Sequence, residues 1–279
     1  MQQKLKLFLF ILLITITLMF TGRYEANADD AVLNQALYAV RNTASYERSI
    51  YETASSMEEL DREISNNLKN HEEIFTIRYL NDISNLKAGI NSVINDVISQ
   101  DDYLHYTLAK YSYIYEGYEG DVAIKFNVNY TETRGQTDYV TQRIDEILGE
   151  IITDDMDAYQ KEKAIHDYIV QNVDYDTTLS ENTAYAALTK GNTVCQGYAL
   201  LAYKMLNKAG IETRIIEGAA EEPHLWNLVQ LDGRWYHLDC TWDDPLQSRE
   251  GFISYKYFNL TDEQIRTDHS WVNSFSQAL

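Results

Sequence analysis

The stretch from Gly191 to Leu201 constrains the fold most, because it joins a turn, a cysteine and the start of an apolar helix. Gly191 marks the turn, Cys195 follows it, and Gly210 would end the helix as a glycine at the C′ position does. Apolar residues recur between them at helical spacing, at Tyr198, Ala199, Leu201, Ala202, Met205 and Leu206. Cys195 is therefore predicted in the first turn of a buried helix. There the helix dipole and unpaired N–H groups favour the thiolate and could stabilise an oxyanion beside the sulfur.

The dipeptide Asp232-Gly233 lies between two alternating runs, residues 224–231 and 234–239, and is the strongest kind of short hairpin signal. Pairing the two strands about this turn places His224 opposite position 241. Asp239 then lies two residues away on the same face, within diagonal reach of the histidine. A nucleophile needs a base, and the base needs an orienting group. The sequence thus predicts a Cys-His-Asp arrangement in which both strands face Cys195.

Three blocks of the sequence resemble the transglutaminase-like superfamily. They are Val-Cys-Gln-Gly-Tyr-Ala at 194–199, His-x-Trp-Asn at 224–227 and Trp-Tyr-x-x-Asp-x-Thr-Trp-Asp-Asp-Pro at 235–245. The resemblance covers about residues 155–270. It implies an α+β, papain-like fold with a catalytic triad, and the three roles carry over to Cys195, His224 and Asp239. It also implies that the substrate is a protein or a peptide.

Four further residues are candidates for the surroundings of this site. Gln196 and Tyr185 could donate hydrogen bonds to an oxyanion. Trp226 and Asn227 flank the predicted base, and Trp226 could wall the site against water, although core packing is the usual role of a tryptophan.

Two other residues are interpreted as structural. His237 is a rival base, since it shares a strand face with Asp239, but it matches no catalytic position of the family. Cys240 is expected to face away from Asp239 on the same strand and to act as a small buried hydrophobe.

The sequence gives no pattern for a metal or a cofactor, and none is expected. A zinc site from the two cysteines with His224 and His237 would lack the closely paired ligands of structural zinc sites. The acidic clusters at 154–157 and 243–244 lack the calcium-loop pattern of an EF-hand.

The first 28 residues have the pattern of a secretory signal peptide. Lys4 and Lys6 precede a 14-residue apolar run, from Leu7 to Phe20, and Ala26-Asn27-Ala28 is typical of a cleavage site. The run is short for a bilayer span. We therefore expect cleavage before Asp29, export of the protein, and no stable membrane insertion afterwards. An uncleaved N-terminal anchor is the alternative.

The chain is strongly acidic, with a formal net charge of −20. Loss of residues 1–28 would remove three basic residues and one acidic residue and bring the charge to −22. Nucleic acid is not an expected partner, because its backbone demands a basic surface. The charge suits an extracellular protein that is kept soluble by self-repulsion.

The remaining chain is predicted to have three parts. Residues 29–70 form an N-terminal helical segment, in which Ser56-x-x-Glu59 is a capping-box signature for a helix to about Lys69. Residues 71–152 form a small α+β domain with the order β-α-β-β-α. Residues 153–279 form the transglutaminase-like domain, in which residues 255–260 are predicted to be a strand.

Two classes of function follow. In the first, the protein is an exported cysteine-dependent acyl transferase or amide hydrolase, transglutaminase-like or peptidase-like, which acts on proteins or peptides such as those of the cell wall through a thioester. In the second, it is a non-catalytic binding or scaffold module of the cell envelope with a vestigial triad.

Overall fold

The structure is a computed structural model that describes residues 52–244 and 253–272. The predicted signal peptide and the first part of the N-terminal helical segment, up to residue 51, lie outside the described residues. All described residues belong to one compact unit. None of the described helices is both long enough and apolar enough to cross a membrane.

The first half of the described chain builds a four-stranded sheet with the strand order β1-β2-β4-β3. Strand β1 runs parallel to β2, and the other pairs are antiparallel. The strands are β1 (Glu52–Ala54), β2 (Ile74–Tyr79), β3 (Leu108–Tyr118) and β4 (Asp121–Tyr130). The helices are α1 (Met57–Lys69), α2 (Leu86–Gln100) and α3 (Asp102–Thr107). The apolar sides of α1, α2 and the sheet share one buried cluster.

The predicted start of α1 is confirmed. The Ser56 side chain accepts a hydrogen bond from the Glu59 backbone N–H at 3.1 Å. The Glu59 carboxylate reaches one residue further back than in a capping box and accepts from the Ser55 N–H at 2.7 Å. The first contact satisfies a backbone donor that the first turn of a helix leaves without an internal partner, and the second ties the residue before the N-cap to that turn.

The second half contains a sheet with the order β10-β7-β8-β9, on which a long buried helix packs. The strands are β5 (Asp174–Tyr175), β6 (Asn192–Thr193), β7 (Thr213–Ala220), β8 (Glu222–Leu231), β9 (Arg234–Leu238) and β10 (Ser270–Trp271), of which β5 and β6 form a separate parallel pair. The helices are α4 (Arg134–Ile151), α5 (Ala158–Asn172), α6 (Ala184–Lys190), α7 (Cys195–Lys208), α8 (Cys240–Asp243) and α9 (Asp262–Ile265). Helix α7 is the predicted buried helix, and its apolar side lies in the largest core cluster.

The predicted hairpin register is confirmed. Leu231 pairs with Arg234, and the antiparallel ladder continues to Asn227 opposite Leu238. Asp232 and Gly233 both have positive φ, at 50° and 75°. A two-residue turn of this kind needs the left-handed region at both central positions, which aspartate tolerates and glycine adopts at no steric cost.

Two strand predictions are wrong. Strand β9 ends at Leu238, so Asp239 caps helix α8 and Cys240 is the first residue of that helix. The chain turns there because the Asp239 side chain accepts from the Trp242 N–H at 3.1 Å. Described residues 253–260 likewise contain a turn and one isolated bridge, from Leu260 to His237, where a strand was expected.

The observed architecture is α+β and papain-like, as the sequence predicted. The two halves also share contacts. Tyr103 of α3 lies in the core cluster of the second half. Asp102 accepts hydrogen bonds from the Arg214 guanidinium on β7, with an Nε–Oδ2 distance of 2.8 Å.

Candidate active site

Cys195 is the first residue of α7, preceded by Val194 in an extended conformation. The helix can begin here because Gly197 lets its first turn approach the preceding loop closely. A Cβ at position 197 would collide with the Thr193 side chain and lie 2.8 Å from the Thr183 carbonyl oxygen. Cys195 is half-buried and unpaired with another cysteine. It therefore combines access to solvent with the N–H groups of a helix start.

His224 lies near the start of β8, next to Cys195, and is 7% exposed. Its Nε2 lies 2.7 Å from Asp239 Oδ2. Because Nε2 is engaged with the carboxylate, Nδ1 is the ring nitrogen that remains for the hydrogen bond to the Cys195 sulfur. The sulfur also accepts a hydrogen bond from the backbone N–H of Leu225. The three residues predicted from the sequence are thus brought together in the order cysteine, histidine, aspartate.

The electrostatics of the three groups favour charge on all of them. Burial opposes the Cys195 thiolate, but the hydrogen bond and the charge of His224 outweigh it and lower the thiol pKa. Burial likewise opposes the imidazolium of His224, but Asp239 and Cys195 together raise its pKa to about 9. Burial also opposes the Asp239 carboxylate, yet hydrogen bonds from His224 and His269 lower its pKa to about 2. Cys195 and His224 can therefore exist as a thiolate–imidazolium pair near neutral pH.

His269 contacts the triad and was missed by the sequence reasoning. Its Nε2 lies 3.0 Å from Asp239 Oδ2, the same oxygen that His224 engages, and the residue is 3% exposed. His269 precedes β10, and Ser270 of that strand pairs with Ala219 of β7. It lies 30 positions beyond Asp239 in no regular spacing, and only the pairing of two short segments brings it to the site.

Trp226 lies beside the base, as expected. Its ring stacks on that of His224 with a centroid distance of 5.7 Å and an interplanar angle of 17°. The indole Nε1 donates to His237 Nδ1 at 2.8 Å. His237 is fully buried, and its Nε2 lies 3.0 Å from Asp262 Oδ1. Both ring nitrogens of His237 are thus engaged away from Cys195, in keeping with a structural role.

The structure places the other three candidates as follows. Gln196 lines a cavity beside Cys195, but its Nε2 donates to the Tyr106 carbonyl at 3.1 Å. Asn227 lies on the opposite face of β8 from the base, and its Nδ2 donates to the Ala199 carbonyl of α7 at 3.1 Å. Tyr185 packs edge-on against Tyr139 at 5.5 Å and is not among the residues that line the cavities at Cys195.

Cys240 is buried, as expected, but for a reason other than strand alternation. It is 3% exposed and belongs to the main core cluster as the first residue of α8. Burial, together with neighbouring carboxylates, raises its pKa well above the usual range of a thiol. This residue therefore remains a neutral thiol while Cys195 ionises.

Two cavities open beside Cys195, with volumes of about 420 Å³ and 690 Å³. Both are lined by Tyr175, Cys195, Glu222, Pro223 and His224. The smaller one also has Glu221, Trp242 and Asp244 in its wall, and the larger one has Glu217 and Tyr106. The approach to the sulfur therefore carries several carboxylates.

A metal would have one place to bind among residues 52–244 and 253–272. Ligand atoms of His224, Asp239 and His269 lie within 4.8 Å of one another. These atoms are already joined to each other by hydrogen bonds at 2.7 Å and 3.0 Å. A metal ion would have to displace the protons of both bonds and would dismantle the triad.

The sequence of the second half of the chain is similar to that of known proteins. Residues 145–240 match the Transglutaminase-like superfamily. Human kyphoscoliosis peptidase is 26% identical over 141 residues, which are 42% of this chain and 21% of the relative. Mouse kyphoscoliosis peptidase is 25% identical over 145 residues, which are 44% of this chain and 22% of the relative. This chain therefore spans about a fifth of the length of these curated relatives.

Two solved structures are similar in part. A crystal structure of a TGase is 17% identical with a TM-score of 0.32, and the match covers 74% of this chain and 63% of that one. A candidate cysteine protease from Cytophaga hutchinsonii is 15% identical with a TM-score of 0.32, covering 48% and 65% of the two chains. Residues 145–240, which include Cys195, His224 and Asp239, are thus similar to the Transglutaminase-like superfamily.

Proposed function

We propose that this protein is a cysteine-dependent acyl transferase or amide hydrolase that acts on proteins or peptides through a thioester. The observation that carries the proposal is the buried hydrogen bond of 2.7 Å between His224 and Asp239, with Cys195 hydrogen-bonded to the same imidazole. A nucleophile, a base and an orienting group in this order are what thiol-based acyl transfer needs. The name of the curated relatives, peptidase, is in keeping with chemistry on amides.

In the first step, the Cys195 thiolate attacks the carbonyl carbon of an amide. The carbonyl oxygen takes up the negative charge, which the N–H groups of the first turn of α7 and the helix dipole would stabilise. His224, protonated at Nδ1, gives this proton to the leaving amine as the carbon–nitrogen bond breaks. The acyl group stays on the sulfur as a thioester, and His224 is then neutral.

In the second step, water or a primary amine attacks the thioester, and neutral His224 takes a proton from it. The sulfur leaves as thiolate, which restores the starting pair. Water gives hydrolysis, and an amine gives transamidation. Asp239 holds the imidazole in place through both steps and stabilises its charged form.

The two cavities suit an acyl donor and a second reactant on different sides of Cys195. Carboxylates of Glu217, Glu221 and Glu222 line them and are exposed. A negative potential at the mouth of a cleft attracts cations. A lysine side chain, as part of a donor peptide or as the attacking amine, fits this chemistry.

The sequence supports a further proposal about location. The signal-like leader and the acidic composition favour export, with action outside the membrane or at the cell envelope. The non-catalytic alternative, a scaffold with a vestigial triad, is disfavoured because its function would place no demand on the ionised Asp239 or on the lowered thiol pKa of Cys195.

The test uses glutamine-containing and lysine-rich peptides, and separately cell-wall peptides, each with and without a biotinylated primary alkylamine. Mass spectrometry follows three products: a thioester at Cys195, a hydrolysed peptide and an amine-labelled peptide. We expect an acyl adduct on Cys195, and none in the Cys195→Ala variant. Products that form equally in both proteins would contradict the proposal.

A further inference from the structure

We propose that His269 is a positioning residue for the triad. It fixes the Asp239 carboxylate and limits how strongly this carboxylate favours the protonated form of His224. This inference rests on the proposed function, since it concerns the same site. Its basis is a shared atom. Asp239 Oδ2 lies 2.7 Å from His224 Nε2 and 3.0 Å from His269 Nε2, while Oδ1 accepts from the Trp242 N–H at 3.1 Å.

These three bonds fix the carboxylate completely. Asp239 is 1% exposed, so water cannot replace a donor that is lost. The backbone of Trp242 holds one oxygen, and the two histidines hold the other from different segments of the chain. Without His269, only His224 would hold Oδ2, and His224 is the group that must change its protonation state during the reaction.

The second ring nitrogen of His269 also faces a carboxylate. Nδ1 lies 2.7 Å from Asp268 Oδ1, and Asp268 Oδ2 accepts a hydrogen bond from the Tyr257 hydroxyl at 2.7 Å. Both ring nitrogens of His269 are thus held by carboxylates, which fixes the orientation of the ring. His269 therefore brings a rigidly held hydrogen-bond partner to the back of the triad.

The shared oxygen has a defined effect on His224. The two ring centroids are 5.6 Å apart, and both rings hydrogen-bond to Asp239 Oδ2. By taking part of the Oδ2 electron density, His269 weakens the acceptor that raises the pKa of His224. This competition holds that pKa below the value that Asp239 alone would give.

Other titratable and charged groups also surround His269. They are His224 on β8, His237 on β9, Asp239 at the cap of α8, Asp262 and Arg266 at α9, Lys256 and Tyr257 in the loop that precedes α9, and Asp268 beside His269. Of these, Asp239 and Asp268 hydrogen-bond to the His269 ring directly, and His224 hydrogen-bonds to the same Asp239 oxygen.

A packing role is the competing explanation. The His269 ring packs against Trp242 at 4.7 Å, Trp226 at 5.1 Å and Tyr257 at 5.4 Å. Phenylalanine would preserve much of this packing and remove the hydrogen bond to Asp239. Glutamine would keep an N–H donor for Asp239 and lose the aromatic ring. The two variants therefore separate packing from hydrogen bonding.

The experiment uses the full-length protein labelled with ¹⁵N-histidine. NMR spectra recorded as a function of pH give the pKa of His224 and the exchange rate of its Nε2 proton. In His269→Phe we expect the pKa of His224 to rise by about one unit, and the His224 Nε2 proton to exchange with water about tenfold faster. In His269→Gln, which keeps a donor to Asp239, the pKa of His224 should stay close to that of the wild type and proton exchange within about threefold of it. Thermal unfolding establishes that each variant is folded.

His237→Phe is the matched control. His237 is buried against the same Trp226, but it makes no bond to Asp239, and burial lowers its pKa so that it is neutral. Its replacement should leave the pKa of His224 unchanged.

The outcomes separate this inference from the proposed function. If wild-type His224 titrates near its ordinary value of roughly 6.5, the triad itself is not charged and the proposed function fails. If wild-type His224 titrates high but its pKa does not move in folded His269→Phe, the role of His269 is overturned. Should the Phe variant not fold, His269→Leu, which also lacks the donor, replaces it, and an unchanged His224 pKa there overturns the role equally.

Discussion

His224 Nε2 and Asp239 Oδ2 lie 2.7 Å apart although strand β9 ends at Leu238, one residue before the aspartate. The hairpin brings the two backbones together, and the cap of α8 then turns the carboxylate toward the imidazole. The same side chain thus orients the base and begins a helix.

Asp239→Asn should lower the activity without removing the helix cap. Asparagine can still accept from the Trp242 N–H, but it lacks the charge that raises the pKa of His224 to about 9. The imidazolium form should therefore be lost at a lower pH, so the alkaline limb of the rate profile moves toward neutrality. We expect a loss of roughly 10²–10⁴-fold near pH 7, measured as initial rates of thioester formation across pH. A variant with wild-type rate and profile would remove Asp239 from the mechanism.

Cys195→Ala should abolish acyl transfer and leave the fold intact. The thiol is half-buried at the start of α7, and alanine is a better helix former. The unfolding free energy should change by less than about 1 kcal/mol, as measured by denaturant unfolding. Residual acyl transfer at the wild-type rate would contradict the assignment of the nucleophile.

Cys240→Ser should keep the activity and lose stability. The side chain is 3% exposed in the main core, where a serine hydroxyl has to be desolvated. We expect a cost of about 1–3 kcal/mol in unfolding free energy. The rate of alkylation at Cys195 serves as the activity control, and its loss in a folded variant would mean that Cys240 acts in the site.

Glu162→Gln should stabilise the protein above neutral pH. Glu162 on α5 is fully buried; burial raises its pKa to about 7, although a hydrogen bond from Asn259 at 2.8 Å partly opposes this. The folded state therefore holds a proton that the unfolded state, with a pKa of roughly 4.3, releases. Stability contributed by this proton is present below about pH 4 and is lost as the pH rises through about 7.

Glutamine removes this dependence, and we expect a gain of roughly 2–3 kcal/mol at pH 8. Urea unfolding at pH 5 and pH 8 measures it. The exposed Glu150→Gln on α4 is the control and should change stability by less than about 0.5 kcal/mol at either pH. An equal effect of both substitutions would show that ionisation of Glu162 does not destabilise the folded state.

Local signals in the sequence predicted much of the fold. The Asp232-Gly233 turn determines the hairpin register, because two adjacent positive φ angles admit few residue types. The Ser56 cap and the apolar periodicity of α7 determine where those helices start. Each of these features depends on neighbours a few residues away, so the sequence alone predicts it.

The features that could not be predicted depend on distant parts of the chain. Asp239 looked like a strand residue because alternation continues through it, and only its bond to Trp242 N–H shows the helix cap. His269 reaches the triad because β10 pairs with β7, a contact between segments about 50 residues apart. Asn227 matched the family block, but the pleat of β8 turns it toward α7 and away from the sulfur.

The most direct test of the account is the pH dependence of the iodoacetamide reaction at Cys195, in the wild type and in His224→Ala. The hydrogen bond and charge of His224 lower the thiol pKa, so the wild-type reaction should rise with an apparent pKa below the ordinary thiol value of roughly 8.5, and the variant should rise at that value or above it. Peptide mapping assigns the label to Cys195, with the buried Cys240 as the internal reference. A wild-type Cys195 that titrates like an ordinary thiol, with the same profile in His224→Ala, would contradict the thiolate–imidazolium pair and the acyl-transfer function built on it.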